Sequence, residues 1–329
     1  MRWKKLILLF FLFTCVSFTQ ADDFRPTAQS QIISQDAKFE TLHDQAEFTE
    51  GPAATADGKS IIFSDIGNRM LRYDLQTGKT SVFRDPSGCS NGLVFDQKGN
   101  LIACEGVTEG GGRRISITSP AGKVRTLADG WNGKRFNSPN DLAVDKLGRV
   151  YITDPRYRGE EPREIDFEGV FLIDTKGKVV VATKDTKKPN GILVSADQKT
   201  VFVGDNSPDA EVKRLLLSFR VKKDGTLTDR KSLFDFGAGR GIDGMALDTE
   251  GNIFATAGKD ELSGIYVFSP TGKQLAMIPT PGAPTNCTFG VGKDAHHLYV
   301  TCANSKTAWR GDFGLYRIDV KKTGYHIFD

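Results

Sequence analysis

The chain has 329 residues, of which 39% are hydrophobic and 26% charged, and its formal net charge is +3. Such a small charge gives no electrostatic reason to expect nucleic acid or an anionic membrane surface as a partner. The length alone would allow two domains, but no long Pro/Ser-rich linker or run of charge divides the chain, and closed all-β folds of this length often form one domain.

The N-terminus has the three regions of a secretory signal peptide. Basic residues at positions 2, 4 and 5 precede an apolar run over residues 6–18, and the segment ends in Ala21, a small residue suited to cleavage. The apolar run is shorter than the roughly 20 residues that a membrane anchor needs. We therefore predict cleavage after Ala21 and export to the periplasm or the medium. Residues 1–21 contain three basic residues and no acidic one, so the mature chain would be close to neutral.

The mature chain begins with residues 22–36, which are polar and without period, and we expect them to form a flexible leader segment. After them one pattern recurs: a polar residue, a short apolar strand, a turn rich in Asp and Gly, and a second apolar strand. The polar residues that open the six copies, which we call leaders, are Glu50, Asn91, Asn140, Asn190, Asp243 and Asn286. Their spacings of 41, 49, 50, 53 and 43 residues suit the four-stranded blades of a propeller. The repeat predicts one six-bladed β-propeller domain over residues 37–329.

Further pairs of apolar strands lie between the copies, for example residues 115–118 and 123–127. No sustained apolar pattern of period 3.6 predicts a helix, so the chain should be nearly all β. A propeller must close its ring to protect the edges of its sheets. We expect an N-terminal strand near residues 38–42 to pair with the last blade.

The leaders carry the candidate chemistry. The first strand of a blade is its innermost, so all six leaders should meet at one mouth of the central channel. All are Asn, Asp or Glu, and none is His or Cys. Such oxygen donors suit a hard cation such as calcium, whereas zinc normally recruits imidazole or thiolate. Asn and Asp also open strands for structural reasons. Six in register, four of them followed by Gly, nevertheless predict a calcium site in the channel, with other divalent cations as alternatives.

Four motifs surround these leaders in fixed order: FTEGP (residues 48–52), NSPNDL (137–142), KPNGI (188–192) and GIDGM (241–245). Together they resemble the gluconolactonase, regucalcin and senescence marker protein family, in its exported bacterial gluconolactonase-like branch, from about residue 48 to residue 320. The resemblance implies that Glu50, Asn140, Asn190 and Asp243 bind the metal and that Asp243 acts as the general base. It also implies hydrolysis of a sugar lactone.

A bound cation suits such a reaction because it can stabilise the negative charge that grows on the lactone carbonyl oxygen while water attacks. Asp243 would take the proton of the water, although a carboxylate bound to a cation is a weakened base. Asn91 and Asn137 are candidates for hydrogen bonds to substrate hydroxyls; Asn137 could instead only shape its loop. Asp141 should point away from Asn140 and have a structural role, because side chains alternate along a strand.

Two other functions fit the same pattern. The metal site could act on aryl esters or phosphotriesters, or the propeller could bind a ligand or a protein without catalysis, with calcium only stabilising the ring. The two acidic leaders and the open coordination positions favour an enzyme whose partner is a small lactone or ester. The segment Gly88-Cys89-Ser90-Asn91-Gly92 fits the nucleophile motif of serine hydrolases, but a predicted hairpin follows it where that motif needs a helix.

Four cysteines follow the predicted cleavage site: Cys89, Cys104, Cys287 and Cys302. Cys287 and Cys302 flank a predicted hairpin symmetrically, and a disulfide between them is one expectation for an oxidising compartment. The alternative is that all four are small buried hydrophobic residues.

Overall fold

The computed structural model describes residues 26–106, 111–237, 239–308 and 311–328, so the predicted signal peptide lies outside the described residues. Within these ranges the chain forms six four-stranded antiparallel sheets and one two-stranded hairpin. The fold is therefore the predicted all-β, six-bladed propeller. Among the described helices, none is both long enough and apolar enough to cross a membrane.

In chain order, the elements begin with helix α1 (Gln29–Ile32) and strand β1 (Glu40–Ala46). Blade I contains β2 (Thr49–Ala54), β3 (Ser60–Asp65), β4 (Arg69–Asp74) and β5 (Lys79–Arg84). Blade II contains β6 (Ser90–Phe95), β7 (Leu101–Glu105), β8 (Arg114–Thr118) and β9 (Val124–Ala128), and the hairpin β10 (Gly130–Trp131) and β11 (Lys134–Arg135) follows it. Blade III contains β12 (Leu142–Val144), β13 (Val150–Thr153), β14 (Val170–Ile173) and β15 (Val179–Thr183). Blade IV contains β16 (Pro189–Val194), β17 (Thr200–Asp205), β18 (Leu215–Val221) and β19 (Leu227–Asp235). Blade V contains β20 (Met245–Leu247), β21 (Ile253–Ala257), β22 (Gly264–Phe268) and β23 (Gln274–Pro279). Blade VI contains β24 (Pro284–Phe289), β25 (His297–Ala303) and β26 (Phe313–Asp319). Two short 3₁₀ turns lie between strands, Asp260–Leu262 in blade V and Gly292–Asp294 in blade VI.

The ring closes through the N-terminal strand. The strand order of the last sheet is β24, β25, β26 and then β1, which pairs antiparallel to β26 from Glu40 opposite Arg317 to Ala46 opposite Phe313. The closure predicted near residues 38–42 is confirmed, and the strand extends four residues further. Blade VI therefore joins the two ends of the domain.

The hydrophobic core lies between blades. The buried apolar residues of the described ranges form six clusters, each shared by two neighbouring blades. In β3, for example, Ile61 and Phe63 pack with blade VI, whereas Ile62 packs with blade II. Since both faces of a blade are covered, its inner strands are continuous apolar runs, while the outermost strand β5 is exposed along much of its length.

The turns between the first and second strands explain the Asp and Gly of the repeat. Asp145 Oδ1 accepts hydrogen bonds from the backbone N–H groups of Leu147 (3.0 Å) and Arg149 (2.9 Å). Gly148 has φ +84°, a left-handed conformation that glycine adopts without steric cost. Each such turn reverses the chain at the face opposite the leaders.

The described part of residues 22–36, which the sequence predicts to be a flexible N-terminal segment, packs against the propeller. Ile32 and Ile33 are buried in the cluster shared by blades V and VI. The N–H of Ala28 donates to the carbonyl of Leu275 on β23 (2.9 Å). Residues 27–33 are therefore an attached segment, which differs from the expected flexible leader because two isoleucines find an apolar surface.

The cysteines follow the second expectation. Cys89, Cys104, Cys287 and Cys302 are all buried, and no disulfide joins Cys287 to Cys302. Cys287 lies opposite Val300, and Cys302 lies opposite Pro284, so the two do not face each other across the hairpin. Their burial indicates a packing role.

Candidate functional site

The leaders of the first five blades meet at one mouth of the channel. They line a single cavity of about 540 Å³ and are Glu50, Asn91, Asn140, Asn190 and Asp243. The structure therefore brings together all four residues expected to bind metal, and Asn91 with them.

The sixth leader lies one position out of register. Thr285 lines the cavity, whereas Asn286 lines a different one. The N–H of Asn286 donates to the hydroxyl of Thr301 (3.0 Å), just as that of Asp141 donates to Thr153 (3.0 Å). Asn286 is therefore equivalent to Asp141, the residue after a leader, and the expectation that Asn286 reaches the mouth is wrong by one residue. Two adjacent polar residues at this point left the register undetermined by sequence.

Asp141 faces the axis below the leaders. Its Oδ1 accepts the N–H of Leu142 (2.9 Å), and the side chain of Asn286 hydrogen bonds to it. Burial, with a smaller contribution from the nearby charge of Asp243, raises the pKa of Asp141 to about 7. Asp141 lines a smaller cavity of about 130 Å³ and is not part of the lining of the leader cavity.

The C-terminal residues 325–328 line this smaller cavity at the opposite mouth. The N–H of Tyr325 donates to the carbonyl of Leu247 in blade V (2.9 Å), and Lys146 of blade III lies 5.7 Å from its ring centre. His326 Nε2 lies 3.1 Å from the carbonyl oxygen of Gly290 in blade VI. The segment therefore crosses the second mouth of the channel.

Glu50 is buried, with 4% of its surface exposed. Its Oε2 accepts the N–H of Gly51 (3.2 Å). Burial, followed by the negative charges of Asp243 and Asp141, holds the pKa of Glu50 well above its usual range. Neighbouring carboxylates that repel one another in this way are a donor set that fits a cation.

Asp243 is the second acidic leader. Burial raises the pKa of its carboxyl, and the Arg240 guanidinium and a hydrogen bond from Asn190 oppose that rise. Arg240 Nη2 donates to Asp243 Oδ2. Its Nη1 donates to the carbonyl of Pro284 (2.8 Å), so Arg240 is held from two sides. Arg240 thus supplies positive charge directly beside one carboxylate of the site.

Hydrogen bonds position Asn190 and Asn140, two of the leaders with an amide side chain. Asn190 Nδ2 donates to the hydroxyl of Tyr157 (3.2 Å), which itself donates to the carbonyl of Asn206 (3.1 Å). Since an amide donates only through Nδ2, this bond leaves Asn190 Oδ1 as an acceptor for a cation. Asn140 is positioned by its backbone, which donates to Thr153 (2.9 Å).

Asn137 lies outside the cavity lining. It is fully buried, and its Nδ2 donates to the carbonyls of Phe167 (2.8 Å) and Asp154 (3.3 Å). Its backbone carbonyl accepts two hydrogen bonds from Arg156. These contacts match the alternative that Asn137 shapes its loop.

Arg240 and Tyr157 were not singled out from the sequence. Both lie in irregular segments that the repeat does not align, Arg240 before β20 and Tyr157 after β13. For Tyr157 the usable signal would have been position, because the segment after the second strand of a blade returns to the leader face; for Arg240 it would have been its place three residues before the leader Asp243. Ser90 of the nucleophile-like motif is fully buried on β6 and lies 2.8 Å from Ser64 Oγ, and β7 follows it.

A second group of side chains suited to a metal lies on blade VI, away from the cavity lining. His296, His297 and Asp319 have ligand atoms within 4.8 Å of one another. His297 Nδ1 lies 2.9 Å from Asp294, and its Nε2 lies 2.7 Å from Asp319. The imidazoles would suit a transition metal, whereas the leaders of the cavity offer only oxygen donors.

Comparison with known proteins gives a consistent family. Residues 48–304 match the family described as SMP-30/Gluconolactonase/LRE-like region. A gluconolactonase of Zymomonas mobilis subsp. mobilis is 31% identical over 286 residues, which cover 79% of this chain and 78% of that protein.

Solved structures share the fold. A gluconolactonase from Xanthomonas campestris has a TM-score of 0.74 and 28% identity, over 87% of this chain and 90% of that chain. A regucalcin from Agrobacterium tumefaciens, described as a calcium-binding protein, has a TM-score of 0.71 and 19% identity, over 88% of this chain and 96% of that chain.

Proposed function

Because this chain belongs to the SMP-30/gluconolactonase/LRE-like family, we propose that it is a calcium-dependent hydrolase that opens a sugar lactone. The observation that carries the proposal is the convergence of five oxygen-bearing leaders in one cavity, two of them carboxylates, with Glu50 buried and Asp243 partly buried. Gluconolactonases among its relatives support the class of substrate. The family also includes a calcium-binding regucalcin, which supports the choice of metal.

Glu50, Asn140, Asn190 and Asp243 would hold the cation. Two carboxylates offset a divalent charge, and four protein ligands leave some of the six to eight positions of calcium for substrate and water. When bound, the cation supplies the positive charge that stabilises the oxyanion of lactone opening. Besides burial, repulsion from Asp243 and Asp141 raises the pKa of Glu50, and a bound cation would relieve that repulsion.

The protein residues have separate tasks. Asp243 accepts the proton of the attacking water, and Arg240, which donates to it, fixes the direction of its carboxylate. That ion pair also weakens Asp243 as a base, so its orientation matters more than its basicity. Asn91 hydrogen bonds to a substrate hydroxyl, and Tyr157 holds Asn190 in place. Asn137 positions the loop that carries Asn140.

The test is hydrolysis of glucono-1,5-lactone, an aryl ester and a phosphotriester by the purified protein, before and after chelation. We expect lactone opening that is lost with chelator and restored by calcium. Asp243→Asn should lose at least about 100-fold in kcat/KM, the usual contribution of a general base. Asp57→Asn, on an exposed turn, is the matched control.

Two results would contradict the proposal. Faster turnover of the aryl ester or the phosphotriester than of the lactone would show that the protein is an arylesterase or a phosphotriesterase. A folded, calcium-loaded protein that turned over none of the three would identify a binding propeller.

We also propose that the protein is exported, on the strength of its N-terminal segment. Export predicts that protein recovered from the periplasm or medium begins at Asp22. An intact mass that retains residues 1–21 in a cytoplasmic protein would contradict this.

A further inference from the structure

Basic side chains surround the leader cavity. Those that line it are Arg158, Arg240, Lys259 and Lys306. Arg240 pairs with Asp243. Within the described ranges, Arg158, Lys259 and Lys306 have no acidic partner within 4.0 Å, although many other cations of this chain do.

These three cations come from different blades but reach the same mouth. Arg158 follows β13 in blade III, Lys259 follows β21 in blade V, and Lys306 follows β25 in blade VI. The second strand of a blade runs antiparallel to the first, so the segment after it returns to the face where the leaders lie. Blade I contributes apolar Phe48 and Ile66 to the same lining.

The charges do not balance once a metal is present. Among the described residues, the lining has four basic and three acidic side chains, the latter being Glu50, Asp243 and Asp260. Glu50 and Asp243 would be neutralised by a divalent cation. The cavity would then carry a net charge of +3, in a cleft where low-dielectric walls focus the field.

A neutral sugar lactone offers no partner for this charge. We propose that the natural substrate is an anionic lactone, one that carries a carboxylate or a phosphate besides its ring ester, and that Arg158, Lys259 and Lys306 bind this group. The proposal rests on the lactonase function proposed above. Charge-assisted hydrogen bonds to carboxylate or phosphate oxygens are about twice as strong as neutral ones, and the field steers an anion towards the mouth.

The test compares kcat/KM for three lactones above their spontaneous rates of opening. They are glucono-1,5-lactone, which is neutral, glucaro-1,4-lactone, which carries a carboxylate, and 6-phosphoglucono-1,5-lactone, which carries a phosphate. We expect kcat/KM for at least one of the anionic lactones to exceed that for the neutral lactone by 10-fold or more. This advantage should shrink as salt is raised. The anionic lactone with the higher kcat/KM shows whether the site prefers a carboxylate or a phosphate.

Variants tie the preference to the mouth. Arg158→Gln and Lys306→Gln should each reduce the ratio of anionic to neutral kcat/KM several-fold, mainly through KM of the anionic lactone. Lys98→Gln is the matched control, because Lys98 lies in the turn between β6 and β7 on the opposite face. That variant should keep the wild-type ratio.

The outcomes separate the two proposals. Hydrolysis of all three lactones at similar kcat/KM, unaffected by the variants, would overturn the anionic substrate and leave the lactonase function standing. Failure to hydrolyse any lactone by folded, calcium-loaded protein would overturn both.

Discussion

The residue after each leader sets how closely the inner strands approach. A Cβ at Gly92 would lie 2.3 Å from Asp141 Oδ1, and one at Gly244 would lie 2.1 Å from Asn286 Oδ1. Such distances leave room only for a hydrogen. The glycines of the repeat therefore let each inner strand pack against its neighbour.

This packing predicts that Gly92→Ala destabilises the ring. The added methyl has to displace the inner strand of blade III, an overpacking that should cost about 1–3 kcal/mol of unfolding free energy. Urea denaturation measures it. Gly106→Ala is the control, because its Cβ would meet its nearest atoms at 3.5 Å. Equal unfolding free energies of the two variants would show that the inner strands can move apart to accommodate the methyl group.

Alanine variants of Asn137 and Asn91 should distinguish a structural role from a role in substrate binding. Asn137→Ala leaves the buried carbonyl of Asp154 and the partly buried carbonyl of Phe167 without this donor, which should cost about 1–3 kcal/mol of stability. Asn91→Ala should raise KM for the lactone instead. Thermal unfolding and steady-state kinetics on both variants distinguish them. If Asn137→Ala raised KM as much as Asn91→Ala at wild-type stability, Asn137 would contact substrate.

Among individual residues, those that the sequence repeat aligns could be predicted to lie in the site. Glu50 and Asn190 stand at fixed positions before a strand, so their convergence follows from topology. Arg240 and Lys306 lie in segments of irregular length, where no periodic pattern says which side chain reaches the axis. Their contribution needed the folded chain.

The closing strand β1 is the element on which the ring depends. It pairs with β26 alone and carries the half-buried His43, whose ring centre lies 5.9 Å from that of Phe63. Burial lowers the pKa of His43 below its usual value near 6.5, although the charge of Asp44 partly opposes this. The fold therefore favours the neutral imidazole.

This lowered pKa predicts an acid-sensitive closure. The stability that His43 contributes is present above its unfolded pKa and is lost as pH falls through its folded pKa, because the unfolded chain then binds the proton more readily. Urea midpoints at pH 7, 6 and 5 should fall more in the wild type than in His43→Leu. Carboxylates with raised pKa, such as Asp154, act in the opposite direction in both proteins. Parallel curves would contradict a role for His43.

The sequence predicted elements where burial imposes a pattern. The first two strands of each blade are apolar runs bounded by Asp- and Gly-rich turns, and closure by an N-terminal strand followed from the need to protect sheet edges. The hairpin of β10 and β11 was not predicted, because strands of two residues, partly buried in β10 and exposed in β11, are too short to show a periodicity.

For the whole molecule, the interfaces between blades are the core. Each described cluster joins neighbours, so no blade has an apolar interior of its own. The proposed metal ligands come from blades I, III, IV and V. A cation held there would link four blades across the axis.

Calcium should therefore stabilise the entire ring. At a free concentration of 100 times its Kd, a ligand that binds only the native state adds about 2.7 kcal/mol. Thermal unfolding should shift upwards with calcium and return with chelator, and Asp243→Asn should abolish the shift. An unchanged melting temperature at millimolar calcium would exclude the leaders as a calcium site.

Residues 325–328 cross the second mouth, so within the described ranges the leader mouth is the open doorway to the site. A lactone that enters by this mouth and the sugar acid that leaves by it share one route. Opening the ring creates a new carboxylate, and the unpaired cations at the doorway favour that charge as much as any on the substrate. For a lactonase of this shape, the departure of the acid would limit turnover, and accumulated product would compete directly with the next lactone.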